Sequence, residues 1–372
     1  MKWERPYAEK ISTKDPLKAS ALSDLSQSEE SLSTATLSRS ESESFGDIFL
    51  CAGRTIRHRI TACVKQAPGN KDYKPADKAG KERKGKVNVM YQAGLVLEGG
   101  GMRGLYTAGV LDFFMEKGIM FSSCYGVSAG ACHLCSYLSG QKGRALHISL
   151  DYLDDKEYCS PYSLIKTGDL FGVDYCYNRI PNELNLYDYE AFAKYPGKGY
   201  AVVTNIETGR PEYMELKDMR RDIEAVRASS SLPLVSRNVQ IGDKLYLDGG
   251  IADSIPIRRS IKDGNAKNIV VMTKPRGYRR KPSSNMKLIR MKYKNYPKLV
   301  EDMERRHIRY NKTMAFIEKE EAEGRAFVFY PETLVKVGRI EKDKKKLKVL
   351  YLQGYHDAAI NYEAMRRFLE RD

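Results

Sequence analysis

AGLVLEGGGMRGLYTAGVLDFFMEKG, residues 93–118, opens as an apolar run closed by glycines and continues with apolar residues recurring at helical spacing. A short apolar run bounded by glycine is a buried strand and a period near 3.6 is a helix, so the stretch predicts a strand feeding a helix. CYGVSAGACHLCSYLSG, residues 124–140, repeats the pattern: strand end, tight turn, helix of small residues. AVVTNIETG (201–209), KLYLDGG (244–250) and KNIVVMTKP (267–275) read as further strands. Strands alternating with helices predict the α/β class, a mainly parallel sheet covered on both faces. The chain shows no internal repeat.

Outside this region the texture changes. Residues 19–45 are dominated by Ser, Glu and Leu, and residues 65–88 by Lys, Gly and Pro. Such segments bury too little apolar surface to offset the entropy of ordering them, so residues 1–88 are expected to be disordered and low in complexity. Met90 stands just before the apolar strand; the upstream segment is either a serine-rich regulatory tail or an extension beyond the true start. After about residue 280 the chain turns to Lys, Arg, Tyr and Glu. A long charged helix over 299–323, a short strand AFVFYP (326–331) and a closing helix NYEAMRRFLER (361–371) are expected there.

The 372 residues carry a net charge of +15, unevenly placed. Residues 1–88 hold 17 Lys+Arg against 12 Asp+Glu, residues 89–280 hold 24 against 22, and residues 281–372 hold 22 against 14. The middle is close to neutral and the tail is basic, which suits an anionic partner. No stretch approaches the roughly 20 uncharged apolar residues of a spanning helix. The N-terminus lacks the apolar core of a secretory signal, so the expected location is cytoplasmic, at most peripheral to the inner face of the membrane. The seven cysteines include one C-x-x-C pair, Cys132 and Cys135, with no second pair to complete a tetrahedral zinc site. No metal or cofactor is expected.

Gly126-Val127-Ser128-Ala129-Gly130 is a G-x-S-x-G pentapeptide between a strand and a helix. A serine raised on a strained strand-to-helix turn needs neighbours without bulk two residues away on either side, and its hydroxyl then sits at a helix N-terminus that favours negative charge. Gly99-Gly100-Gly101-Met102-Arg103-Gly104 also satisfies the dinucleotide pattern G-x-G-x-x-G. That reading wants an acidic residue about 20 positions on, and the chain has Phe121-Ser122-Ser123-Cys124 there. No Lys-Ser or Lys-Thr follows, so a P-loop fails as well. What remains is a loop of backbone amides at a helix start, the kind of donor an oxyanion hole requires. Asp248-Gly249-Gly250 leaves a strand-like segment and supplies a carboxylate.

A serine hydrolase usually sets a histidine between nucleophile and acid. His307 sits on a charged helical face, His356 in a Tyr-His-Asp segment near the end, His133 in the helix after Ser128, His147 after a Gly-Arg segment, and His58 in the low-complexity region. None has the expected loop-after-strand setting. The base is therefore read as a carboxylate acting on the serine directly.

The set GGGMRG, GVSAG and DGG, in this order, closely resembles the patatin-like phospholipases over roughly residues 93–274, and no motif position departs from that pattern. Ala228-Ser229-Ser230-Ser231-Leu232-Pro233 and Asp253-Ser254-Ile255-Pro256 resemble the bacterial branch, as does the basic, Tyr-rich end. The resemblance implies a three-layer α/β sandwich over residues 89–280, with residues 281–372 as a basic α+β extension packed on it. It implies a Ser-Asp dyad that hydrolyses lipid acyl esters: Ser128 the nucleophile, Asp248 the general base, and the amides of Gly99, Gly100, Gly101, Met102, Arg103 and Gly104 the oxyanion hole, with Arg103 bracing the loop. Val127 and Ala129 complete the elbow, and Gly249 and Gly250 the acid motif. The expected partners are a lipid ester substrate and, peripherally, anionic membrane, which residues 276–298 are suited to touch; nucleic acid is not expected. The alternative is a catalytically weak lipid-binding or scaffold protein that docks on anionic membrane.

Overall fold

The computed structural model describes residues 88–332 and 335–371. The expectation of disorder upstream, and His58 with it, lies outside the described residues. In chain order the elements are β1 (Val89–Leu97), a 3-10 turn (Gly101–Gly104), α1 (Leu105–Lys117), β2 (Ile119–Val127), α2 (Ala129–Leu138), α3 (Arg144–Asp151) and α4 (Pro161–Thr167). A π-helical segment (Tyr175–Leu184), α5 (Tyr189–Ala193), β3 (Lys198–Asn205), β4 (Pro211–Leu216), α6 (Met219–Ser229), β5 (Val239–Ile241) and β6 (Lys244–Asp248) follow. The remainder is α7 (Ile257–Lys262), β7 (Asn268–Val271), α8 (Met286–Lys292), α9 (Pro297–Ala322), β8 (Ala326–Phe329), α10 (Lys344–Ile360) and α11 (Tyr362–Glu370).

The strands form one sheet in the order β5-β6-β3-β2-β1-β7-β8, with β4 pairing β3 off this path. The β1–β2, β2–β3, β1–β7 and β7–β8 pairs are parallel, while β4 and β6 run antiparallel to β3. This is the α/β sandwich expected. Alternation along β1 assigns its faces: Val96 packs with Tyr310, Met314 and Ile317 of α9, whereas Leu97 lies against Gly130 of α2 on the other side. The segment after residue 281 supplies edge strand β8 and two covering helices, so it completes layers that the first 280 residues begin.

Helix α10, which sequence periodicity did not reveal, packs along α1 through a reciprocal pair of glycines. A Cβ at Gly109 would strike the carbonyl of Tyr351, and one at Gly354 would strike that of Tyr106. Backbones approaching this closely admit no side chain at either position. The same interface ties Tyr106 Oη to Asp357 at 2.9 Å and Tyr351 Oη to the buried Asp112 at 2.6 Å.

Candidate active site

Strand register brings the three motifs to one level. Val127, the last residue of β2, pairs with Val202 of β3, and the next β3 residue, Val203, pairs with Asp248. Strand β6 runs antiparallel, so it descends from beyond the C-terminal edge of the sheet and ends at the height where β2 delivers Ser128. On the other side of β2, Leu97 pairs with Gly126, which puts Gly99 beside Ser128. A Cβ at Gly99 would lie 2.8 Å from the Ser128 Cβ, and only glycine permits that approach.

Ser128 has φ +54° and ψ −125° at the start of α2, a conformation costing a non-glycine residue about 1–3 kcal/mol. The turn after α6 holds it there. Its amide donates to Ser229 Oγ at 2.9 Å; Asp248 N–H donates to the Ser231 carbonyl at 2.8 Å and Gly249 N–H to the Ser229 carbonyl at 3.3 Å. One short serine run thus ties the backbone of Ser128 to that of Asp248. The role of Ser229 was not legible in sequence, where the run carried only a resemblance to the bacterial branch and no assigned contact.

Asp248 is 2% exposed. Its Oδ1 accepts the Gly250 amide at 2.7 Å, while its Oδ2 is buried with no hydrogen-bond partner among the described residues. One carboxylate oxygen is anchored and the other is available. Ser128 and Asp248 line the same cavity, of about 440 Å³.

The glycine loop needs correction in detail. Met102 N–H donates to the carbonyl of Arg339 at 2.9 Å, and the amides of Arg103 and Gly104 fall within the 3-10 turn, whose i→i+3 bonds take them up. The amides of Gly99, Gly100 and Gly101 donate to no other group among the described residues, so of the six expected donors these three are not taken up within the fold. Arg103 does not brace the loop through a hydrogen bond; its Nε is unpartnered and its side chain lines the 440 Å³ cavity.

A second cavity, of about 1160 Å³, meets the first at Ser128, Gly101 and Leu232. Its walls include Leu105, Ile148, Phe171, Tyr177, Ile223 and Val226, drawn mostly from residues 144–189 and α6. His133 also lines it, and burial pushes its imidazole down to about 4, so it is neutral near pH 7. Cys132 and Cys135 face this cavity too; Cys132 Sγ lies 3.2 Å from Ser230 Oγ, and burial raises both thiols. His147 contacts Asp151, His307 the Glu304 carbonyl and His356 the Asp357 carboxylate, and none of the three lines either cavity.

The family model described as patatin-like phospholipase matches residues 95–260, the span that holds all three motifs. Uncharacterized protein YjjU of Escherichia coli K12 is 31% identical over 242 residues, covering 64% of this chain and 68% of that protein. The chain belongs to the patatin-like phospholipase family. Among its relatives, the probable lipid hydrolase 463L of Invertebrate iridescent virus 6 is 28% identical over 210 residues, covering 52% of this chain and 71% of that protein. Uncharacterized protein YqhO of Bacillus subtilis 168 is 25% identical over 294 residues, covering 69% of this chain and 97% of that protein. Outside the patatin-like part, a domain of unknown function, DUF6363, matches residues 296–370.

Proposed function

We propose that this patatin-like chain hydrolyses acyl esters of lipids, with Ser128 as nucleophile and Asp248 as general base. Asp248 Oδ2 accepts the Ser128 proton as Oγ attacks the ester carbonyl, and the amides of Gly99–Gly101 take the developing oxyanion. The alcohol leaves with a proton from Asp248; water, deprotonated by the same carboxylate, then releases the fatty acid from the acyl-enzyme. The observation that carries this reading is the pairing of a strained serine with a buried carboxylate oxygen that has no partner, at the junction of a large apolar cavity and a small polar one. An acyl chain suits the apolar side, and the name of the viral relative, probable lipid hydrolase, agrees.

Peripheral membrane docking belongs to the same proposal, at a different surface from the one expected. Arg276, Arg279 and Arg290 pair with Glu321, Glu318 and Glu304 at 2.7, 2.9 and 2.7 Å, which neutralises part of the basic 276–298 segment. Leu184 and Leu186, 42% and 66% exposed, stand close in sequence to Ile180, Pro181, Tyr187 and Tyr189, which line the apolar cavity, and are the apolar contacts proposed here. Among the described residues no helix is long and apolar enough to cross a membrane.

The test is a lipid-class hydrolysis panel on the full chain beside Ser128→Ala and Asp248→Asn. Each should remove nearly all turnover, the double variant should be little worse than either, and the five single His→Ala variants should stay active. Loss of turnover in a folded His133→Ala or His307→Ala protein would overturn the dyad.

A further inference from the structure

The 440 Å³ cavity beside Ser128 is lined by five cationic side chains, Arg103, Lys274, Arg280, Arg306 and Arg339. They come from the glycine loop, the segment that follows β7, α9, and the loop before α10. None of the five is ion-paired among the described residues, and the Nε atoms of Arg103, Arg280 and Arg306 are buried without a hydrogen-bond partner. Other arginines on the same segments behave differently: Arg276, Arg279, Arg290 and Arg309 each meet a carboxylate. The cavity's arginines thus lack the counter-charge that these neighbours have, and desolvated unpaired charge is costly.

Three carboxylates lie nearby, and none balances the set. Asp302, one turn before Arg306 on α9, is taken up by Arg309 at 2.7 Å. Glu98 accepts hydrogen bonds from Thr273 N–H, Thr273 Oγ1 and Tyr310 Oη, at 2.6, 2.9 and 2.7 Å. Asp248 is held by Gly250. With Asp302 matched by Arg309, five positive groups against Glu98 and Asp248 leave a surplus of three. Burial and the mutual repulsion of these cations lower Lys274 to about 8 and Arg306 to about 9. Arg280 and Lys274 lie over the rings of Tyr310 and Tyr278, at 4.5 and 4.7 Å, so their aromatic neighbours orient them without neutralising them.

We propose that this cavity binds the phosphate of the substrate's headgroup, and that the preferred lipid carries a phosphomonoester. The inference rests on the acyl-hydrolase reading and names its substrate class. Planar guanidinium groups grip phosphate oxygens in pairs, and a surplus of three cations favours a dianion over a zwitterionic diester. The geometry fits a glycerolipid: its phosphate and its ester carbonyl are separated by a short glycerol linkage, and the basic and apolar cavities share Ser128. Arg306 and Arg339 fall within residues 296–370, which gives that domain of unknown function a role as the wall that completes the headgroup site.

The experiment compares kcat/KM for lysophosphatidic acid with kcat/KM for the monoacylglycerol of the same acyl chain, in the full chain and in Arg280→Gln, Arg339→Gln and Lys274→Gln. Calorimetry with dodecyl phosphate, dodecanol and inorganic phosphate on the Ser128→Ala protein measures binding without turnover. The wild-type chain should favour the phosphate lipid at least 100-fold, and each variant should cut that ratio about tenfold, the worth of one charge-assisted contact. Dodecyl phosphate should bind more tightly than dodecanol and than inorganic phosphate. Equal rates on both lipids in a folded, active enzyme would overturn the proposal. So would inorganic phosphate binding as tightly as dodecyl phosphate, because the ligand would then be free phosphate. Absence of hydrolysis on every ester while dodecyl phosphate still binds would sink the hydrolase reading and leave the anion site standing.

Discussion

Replacing Ser229 by alanine probes the bond that holds the backbone of Ser128, the proposed nucleophile. Ser229 is fully buried, and its Oγ accepts the Ser128 amide at 2.9 Å. Alanine leaves that amide buried and unpaired, a cost of about 1–3 kcal/mol. Ser128 already sits at φ +54°, so the lost bond falls where the backbone is strained and can relax toward an ordinary helical start. The melting midpoint should drop by about 2–8 °C. If the whole of that energy serves to hold the elbow, kcat/KM falls about 5–140-fold, since each 1.4 kcal/mol is a factor of ten. The assay is hydrolysis of p-nitrophenyl butyrate beside a thermal melt, with Ser231→Ala as comparator. The Ser231 hydroxyl donates to the Arg227 carbonyl of the preceding helix, α6, so its loss should lower the midpoint with little change in rate. If Ser229→Ala loses stability but keeps full activity, or if both variants lose activity alike, the serine turn does not position the nucleophile.

Gly101→Ala should cost activity at least tenfold, because its φ is +58° and a Cβ would come within 2.5 Å of the Arg339 carbonyl; Gly140→Ala, with similar φ but open space, should lose only about 1–2 kcal/mol of stability. The preference for a phosphate lipid should decline as pH rises through about 8, where Lys274 loses its proton, and Lys274→Met should remove that inflection from the kcat/KM profile. Lys274 also bears on stability: its folded value lies below the roughly 10.4 of an unfolded lysine, so the protonated form opposes folding below about pH 8 and that opposition is relieved between pH 8 and 10, visible as a shallow rise in stability relative to Lys274→Met. Leu184→Ser with Leu186→Ser should reduce hydrolysis of vesicle lipid several-fold while p-nitrophenyl butyrate turnover holds; equal loss on both substrates would place the defect inside the cavity rather than at the proposed membrane contacts.

What was legible in the sequence was local. GVSAG and GGGMRG declare themselves because a strained serine and a close backbone approach demand particular residues at fixed spacing, and the strands around residues 93–97, 201–205, 244–248 and 267–271 announce themselves as apolar runs. The basic cavity was not legible, since its members lie at 103, 274, 280, 306 and 339, and Arg306 reads in sequence as one more charge on a solvated helix. Helix α10 was missed for a related reason: a lysine run opens it, and its buried face depends on Gly109 of another helix. The direction of β6 was equally hidden, because a strand's own residues do not state which way its neighbour runs.

The bond from Met102 N–H to the Arg339 carbonyl has a consequence for the order in which the protein becomes competent. Chains are made from the N-terminus, and one that has reached residue 300 holds Ser128, Asp248 and the glycine loop, but not Arg306, Arg339 or edge strand β8. Its glycine loop lacks the pin that fixes it, and two of the arginines of the proposed phosphate site are absent. A nascent chain of this kind is expected to be mute toward lipid until residues 301–372 have folded, which would keep an unfinished chain from attacking the membranes around it.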